Sequence, residues 1–304
     1  MNPQIEHVGP EWAFDRYEAI RARLPKADFE NSPKHAANLA CVAKHFDCFF
    51  LDAFGVLNRG ETAIPGAVDR VAQLRRMGKK LVVLTNAASY TKSQILAKYQ
   101  RLGFDFSVEE VVTSRELAIA ALPELEPGAV WGAISAKEDK FDDVQSEFRH
   151  LLDEPGLFET AGGFVFLSSI RWTDEDTERL ISAIRKKPRP LVVANPDLVA
   201  PREQGLTIEP GSFAHRLIDE ADATPLFFGK PYLGAFEAAL AKAHGISRER
   251  IAMVGDTLHT DILGGRAAGT GTILISDHGL FRGRSVQKFI DRSGIQPDWI
   301  VPTT

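Results

Sequence analysis

Four short polar stretches each follow an apolar run, and their residue types could build one chemical site. They are Asp52 in "FLDAFGV", Thr85 and Asn86 in "VVLTNAA", Lys230 in "FFGKP", and Asp256 with Asp261 in "MVGDTLHTD". In open α/β sheets ligands bind beyond the strand ends, so polar residues at such ends can converge. Taken singly, each stretch reads as ordinary structure: an acid or Thr-Asn after a strand caps a helix or closes a turn. In this order they offer a carboxylate nucleophile, a hydroxyl and an amide to grip a phosphoryl group, a lysine, and two more carboxylates. A carboxylate and a phosphate dianion repel, so the site needs cations to bring them together. Lys230 supplies part of that charge. A hard divalent ion supplies the rest, and Mg²⁺ takes oxygen ligands of the kind Asp52 and Asp256 would present from adjacent strand ends.

The elements that would position these residues alternate along the chain. "CFFLDAF" reads as a strand and "AIPGAVDRVAQLRRMG" as a helix opened by proline and closed by glycine. "KKLVVLTNAA", "SYTKSQILAKYQRLGF", "VEEVVTS" and "RELAIAALPEL" repeat the alternation. Strands this apolar, separated by helices, predict a parallel sheet covered on both faces. After "PELEPG" the rhythm restarts with "AVWGAIS", a charged stretch near "DKFDDVQSEFRHLLDE" read as helical, "GFVFLSS", "DEDTERLISAIRKK" and "PLVVAN". A third block, from "PLFFGKP", resumes the style of the first. The fold class expected is α/β: a Rossmann-like parallel-sheet core from residues 46–121 and 226–304, with 122–225 inserted as an α/β cap. Residues 1–45 form a helical extension, in which Trp12, Tyr17, Ile20 and Leu24 are expected to share one face.

Composition narrows the partners. The 304 residues carry a net charge of −5 with no basic block, which argues against nucleic acid. No run of about 18 apolar residues suggests a membrane span. The opening stretch lacks a basic-then-apolar signal pattern, and Cys41 and Cys48 suit reduced structural thiols, so a cytoplasmic protein is expected. Oligomeric state is left open.

The ordered set "DAFGVL", "TNAAS", "GKP" and "GDTLHTDI" resembles the four motifs of the haloacid dehalogenase-like (HAD) hydrolase superfamily. The insertion resembles the cap of its class IIA sugar-phosphate and nitrophenyl-phosphate phosphatases, including an Asn-Pro-Asp segment in "VVANPDLVAP" that marks Asn195 and Asp197 as cap candidates. The resemblance covers about residue 46 to the end. It implies a Mg²⁺-dependent phosphohydrolase acting on a small phosphorylated metabolite. Asp52 would attack phosphorus and form an aspartyl-phosphate. Thr85 and Asn86 would hydrogen-bond the phosphoryl oxygens, and Lys230 would hold Asp52 and the phosphoryl group together. Asp52, the Phe54 backbone carbonyl and Asp256 would ligate Mg²⁺, with Asp261 orienting them.

Phe54 departs from that pattern. The superfamily's phosphatases usually carry a second aspartate there, which protonates the leaving oxygen and then activates water. Phenylalanine keeps the backbone carbonyl and lacks the proton, which favours acyl, anhydride or aryl phosphates, whose leaving groups depart unprotonated. Asp197 and His259 are candidate substitute acids, with a turn residue and an exposed helix-start residue as the plainer readings. Two alternatives remain at this level: a degenerate protein that binds phosphometabolites without turnover, and a metal-independent dehalogenase-type hydrolase, since "DAFG" resembles the "DAYG" of dehalogenases.

Overall fold

The computed structural model describes residues 8–30, 32–202 and 205–304; the first seven residues of the stretch read for a signal lie outside them. Its larger sheet has seven strands, all parallel, in the order 34–35, 299–301, 271–275, 251–255, 48–51, 80–85, 111–113. The interior strand Cys48–Leu51 is buried throughout. It pairs on one side with Ile251–Gly255 and on the other with Lys80–Thr85, with Leu51 opposite both Val254 and Val83. That register carries Asp52, Asp256 and the Thr85–Asn86 pair out at neighbouring strand ends.

The inserted segment builds a second parallel sheet of five strands, in the order 226–227, 191–193, 163–166, 130–134, 147–150. Helices Asp174–Lys186 and Pro210–Ala221 belong to this unit, and its own apolar cluster includes Trp172, Phe164, Phe166 and Phe213. The helix read near 139–154 is instead the strand Glu147–His150. Its exposure alternates residue by residue, with Phe148 and His150 half-buried, so the period of two outweighs the charge density that suggested a helix. Two strands also cross the expected boundaries. Lys34–His35, within the N-terminal extension, joins the larger sheet beside Trp299–Val301, and Leu226–Phe227 completes the smaller one.

Helix Pro10–Ala19 buries Ala13, Phe14 and Tyr17, and Ile20 and Leu24 follow them inward. Trp12 stays 38% exposed, because five residues separate it from Tyr17 and place it about 140° around the helix. The buried face packs on Leu258, Ile262 and Phe281 of the larger unit and on Leu198, Val199 and Leu206 of the inserted one. Arg16 and Arg23 reach Asp219 on the inserted unit, while Arg292 of the larger unit bonds Asp15. Exposed pairs of this kind contribute little each. The buried hydrogen bond from the Leu198 N–H to the Tyr17 hydroxyl, at 3.1 Å, matters more, because its loss would strand a buried donor. Tyr17→Phe is therefore expected to lower unfolding free energy by about 1–3 kcal/mol, read as a reduced urea midpoint at unchanged slope.

Candidate active site

Asp52, just past the end of strand Cys48–Leu51, keeps 13% of its side chain exposed. Its Oδ1 accepts from the Ala53 N–H at 2.7 Å and from Lys230 Nζ at 2.7 Å. Lys230 is buried and also contacts Asp261 Oδ1 at 2.6 Å. Burial works against the lysine's charge, but Asp261 and Asp52 outweigh it and hold its pKa above the ordinary range. Asp261 in turn accepts the Thr257 N–H on its other oxygen, at 3.1 Å. It thereby clamps the loop after strand Ile251–Gly255 to the lysine.

Carboxylate oxygens of Asp52, Asp256 and Asp261 lie within 4.8 Å of one another. Burial raises Asp52 to about 7, opposed by Lys230 and reinforced by Asp261. Burial and the neighbouring acids raise Asp256 to about 8. Three acids against one lysine leave the cluster short of positive charge, and an all-oxygen donor set is what a hard divalent cation takes. The surrounding backbone is cut to fit Asp256. Its Oδ2 accepts the Leu280 N–H at 2.6 Å, and its Oδ1 accepts the Thr257 hydroxyl at 3.0 Å. Gly55, at φ +79°, turns the chain after Phe54 where a Cβ would lie 2.6 Å from Asp256 Cγ. A Cβ on Gly279 would lie 1.8 Å from Asp256 Oδ2.

Asn86 occupies the next strand end. Its side-chain Oδ1 accepts the Lys230 N–H at 2.8 Å, while Nδ2 donates to the Lys230 carbonyl at 2.9 Å and to Asp197 Oδ1 at 2.8 Å. An amide has two N–H hydrogens, so this side chain is fully committed to holding the lysine loop and the inserted unit. Thr85 is buried beside it, its hydroxyl accepting the Ala87 N–H at 3.2 Å. From the inserted unit, Asn195 accepts the Asp197 N–H at 3.0 Å and donates to Glu209 at 3.1 Å.

These residues line a narrow cavity of 40 Å³ that includes Asp52, Phe54, Thr85, Asn86, Asn195, Asp197 and Asp256. It shares Ser89, Tyr90, Arg202 and Glu209 with a larger cavity of 420 Å³ that runs beneath the inserted unit. Sequence reading missed Arg202 and Glu209, which pair at 3.0 Å, and it missed the threonines 257 and 260 in the cavity wall. Two cations approach the Phe54 ring, with Lys98 Nζ 5.0 Å and Arg202 Cζ 5.1 Å from its centroid. His259 is neither exposed nor in that wall. It is buried, stacked on Tyr17 at 4.9 Å and bonded to Glu18 at 2.5 Å, because the N-terminal helix covers it.

Residues 49–144 match the family of haloacid dehalogenase-like hydrolases, and residues 227–304 match a HAD-hydrolase-like family. The human glycerol-3-phosphate phosphatase is 30% identical, over 84% of this chain and 88% of its own length. The chain belongs to the HAD-like hydrolases. Its fold is that of a candidate sugar phosphatase of the superfamily from Cytophaga hutchinsonii, with a TM-score of 0.78 and 25% identity over 89% of this chain and 98% of the other. A Mycobacterium tuberculosis glycerol phosphate phosphatase solved in complex with magnesium aligns at TM-score 0.66 and 26% identity, over 85% of this chain and 75% of the other.

The tight seat of Asp256 gives a direct check. Gly279→Ala in this HAD-like protein should displace that carboxylate and weaken divalent-cation binding at least tenfold, measured by calorimetric titration. An unchanged affinity would place the cation elsewhere.

Proposed function

We propose that this HAD-like protein is a Mg²⁺-dependent phosphohydrolase that works through an aspartyl-phosphate on Asp52. The observation that carries the reading is the Asp52 contact with Lys230, at 2.7 Å, where carboxylate oxygens of Asp52, Asp256 and Asp261 gather within 4.8 Å of one another. Asp52, Asp256 and the Phe54 backbone carbonyl would hold the ion, and Asp261 would orient Lys230 beside them. Bound there, Mg²⁺ would neutralise charge on the transferring phosphoryl oxygens.

The chain's own groups do the rest. Lys230 keeps Asp52 turned into the cavity and offsets the repulsion between carboxylate and phosphate. The Thr85 hydroxyl and the Asn86 backbone N–H are the groups left to grip phosphoryl oxygens, since the Asn86 amide is engaged elsewhere. An Asp52 oxygen bonds to phosphorus as the bond to the leaving group breaks. Water then hydrolyses the aspartyl-phosphate and releases inorganic phosphate.

The 420 Å³ cavity would receive the leaving group, so its wall rather than the phosphoryl site sets specificity. Relatives named glycerol-3-phosphate phosphatase and acid sugar phosphatase support a small phosphorylated metabolite as substrate. An aryl, acyl or anhydride leaving group would depart past Phe54 without help, whereas an alkyl phosphate would need a proton from elsewhere in the pocket. We assign the protein to the cytoplasm; among the described residues no helix is long and apolar enough to cross a membrane.

Asp52→Asn is expected to reduce Mg²⁺-dependent phosphate release by at least about 10³-fold and to leave no acid-trappable phosphoenzyme. Chelation should silence the wild-type protein, and added Mg²⁺ should restore it. Turnover that survives Asp52→Asn would remove Asp52 as nucleophile. Binding of phosphate esters without any phosphoenzyme would favour the non-catalytic alternative.

A further inference from the structure

An alkoxide leaves phosphorus slowly unless its oxygen receives a proton, and the phenyl ring at position 54 has none to give. The proton has to come from another group in the wall of the narrow cavity. Asp52 is the nucleophile in the reading above, and Asp256 is fixed beside the cation position. Glu209 is already engaged by Arg202 at 3.0 Å, Thr207 at 2.7 Å and Asn195 at 3.1 Å. Tyr90 is 41% exposed and is shared with the larger cavity. Asp197 remains.

Resting on the phosphohydrolase reading, we propose that Asp197, carried into the cavity by the inserted unit, is the proton donor and acceptor that position 54 lacks. Its backbone is held on three sides: its N–H by Asn195 at 3.0 Å, its carbonyl by the Gly211 N–H at 3.1 Å, and the following N–H by Tyr17 at 3.1 Å. One carboxyl oxygen accepts from Asn86 at 2.8 Å, which leaves the other for a ligand in the cavity that Asp52 and Phe54 also line. Burial holds the carboxyl well above the usual carboxylate range, against the pull of Lys230 and with the help of Asp52, which favours the protonated acid that the first step needs.

The step balances. An Asp52 oxygen bonds to phosphorus, the bond from phosphorus to the leaving oxygen breaks, and that oxygen takes the electron pair and the Asp197 proton. Water then attacks the phosphorus of the aspartyl-phosphate and gives its proton to Asp197. The Asp52–phosphorus bond breaks, which releases phosphate and returns both carboxyls to their starting states.

Asp197→Asn separates this role from a structural one, because the amide keeps both the volume and the oxygen that accepts from Asn86. The experiment compares glycerol 3-phosphate with p-nitrophenyl phosphate in the Mg²⁺-loaded protein, following single-turnover release of each leaving group. The expected result is a loss of about 10²–10⁴-fold on the alkyl ester. Nitrophenolate release should change by less than about tenfold and be followed by accumulation of phosphoenzyme, because the second half-reaction has lost its base. That burst also reports an intact site. Equal losses on the two esters, small or large, would overturn the assignment and leave Asp197 as a hydrogen-bond partner of Asn86. A wild-type protein that releases phosphate from neither ester would instead overturn the phosphohydrolase reading itself.

Discussion

The site depends on where one lysine is held. Lys230 is buried, and its ammonium touches two carboxylates while its backbone is gripped on both polar groups by one asparagine. An unpaired ammonium at this depth would be strongly disfavoured. Asp52 and Asp261 keep it charged, and they are brought to it by different strand ends of the same sheet. Each of the polar stretches therefore fixes another: Asn86 holds the Lys230 loop, Lys230 holds Asp52, and Asp261 holds both the lysine and the loop that carries Asp256. Removing any member would leave a buried group without its partner, which costs more than the net worth of the contact.

Phe54 fits this electrostatic pattern although it takes no part in the ion pairs. An acid at that position would face Lys98 and Arg202, and the phenyl ring instead presents its face to both cations. Lys98 is satisfied by the Gly60 carbonyl and Glu61, each at 2.8 Å, and Arg202 by Glu209. Both cations are thus balanced without a carboxylate at 54. An acid that lines the same narrow cavity as Asp52 and Phe54, Asp197, arrives on the inserted unit.

Much of this was legible in the sequence because it follows from apolar runs. Buried parallel strands read as uninterrupted hydrophobic stretches, and the residues after them lie at the same edge of the sheet. That pattern alone brings Asp52, Thr85, Asn86, Asp256 and Asp261 to one edge of the sheet. Contacts that depend on the approach of two separate units were not legible. Nothing local to "TNAAS" says that the Asn86 amide spends one hydrogen on the Lys230 carbonyl and the other on Asp197. The Arg202–Glu209 pair sits at the ends of a short ribbon, Val199–Pro201 with Leu206–Ile208, too brief to declare itself by periodicity. Strand Glu147–His150 was read as a helix because exposed edge strands carry charges, as surface helices do.

The N-terminal helix shows why the narrow cavity has the shape it does. Its apolar face is shared between the loop bearing Asp256 and Asp261 and the ribbon that follows Asp197. Tyr17 touches both sides, accepting from Leu198 and stacking on His259, and its neighbour Glu18 bonds the same histidine. His259 lies between the two acids of its loop in sequence, so a helix remote from the motifs fixes the backbone that aims them. A site assembled across two units would otherwise vary in width with every relative movement of those units. Proton transfer is sensitive to distances of a few tenths of an ångström, and clamping both walls to one rigid helix is a physical way to keep Asp197 and Asp52 at a constant separation.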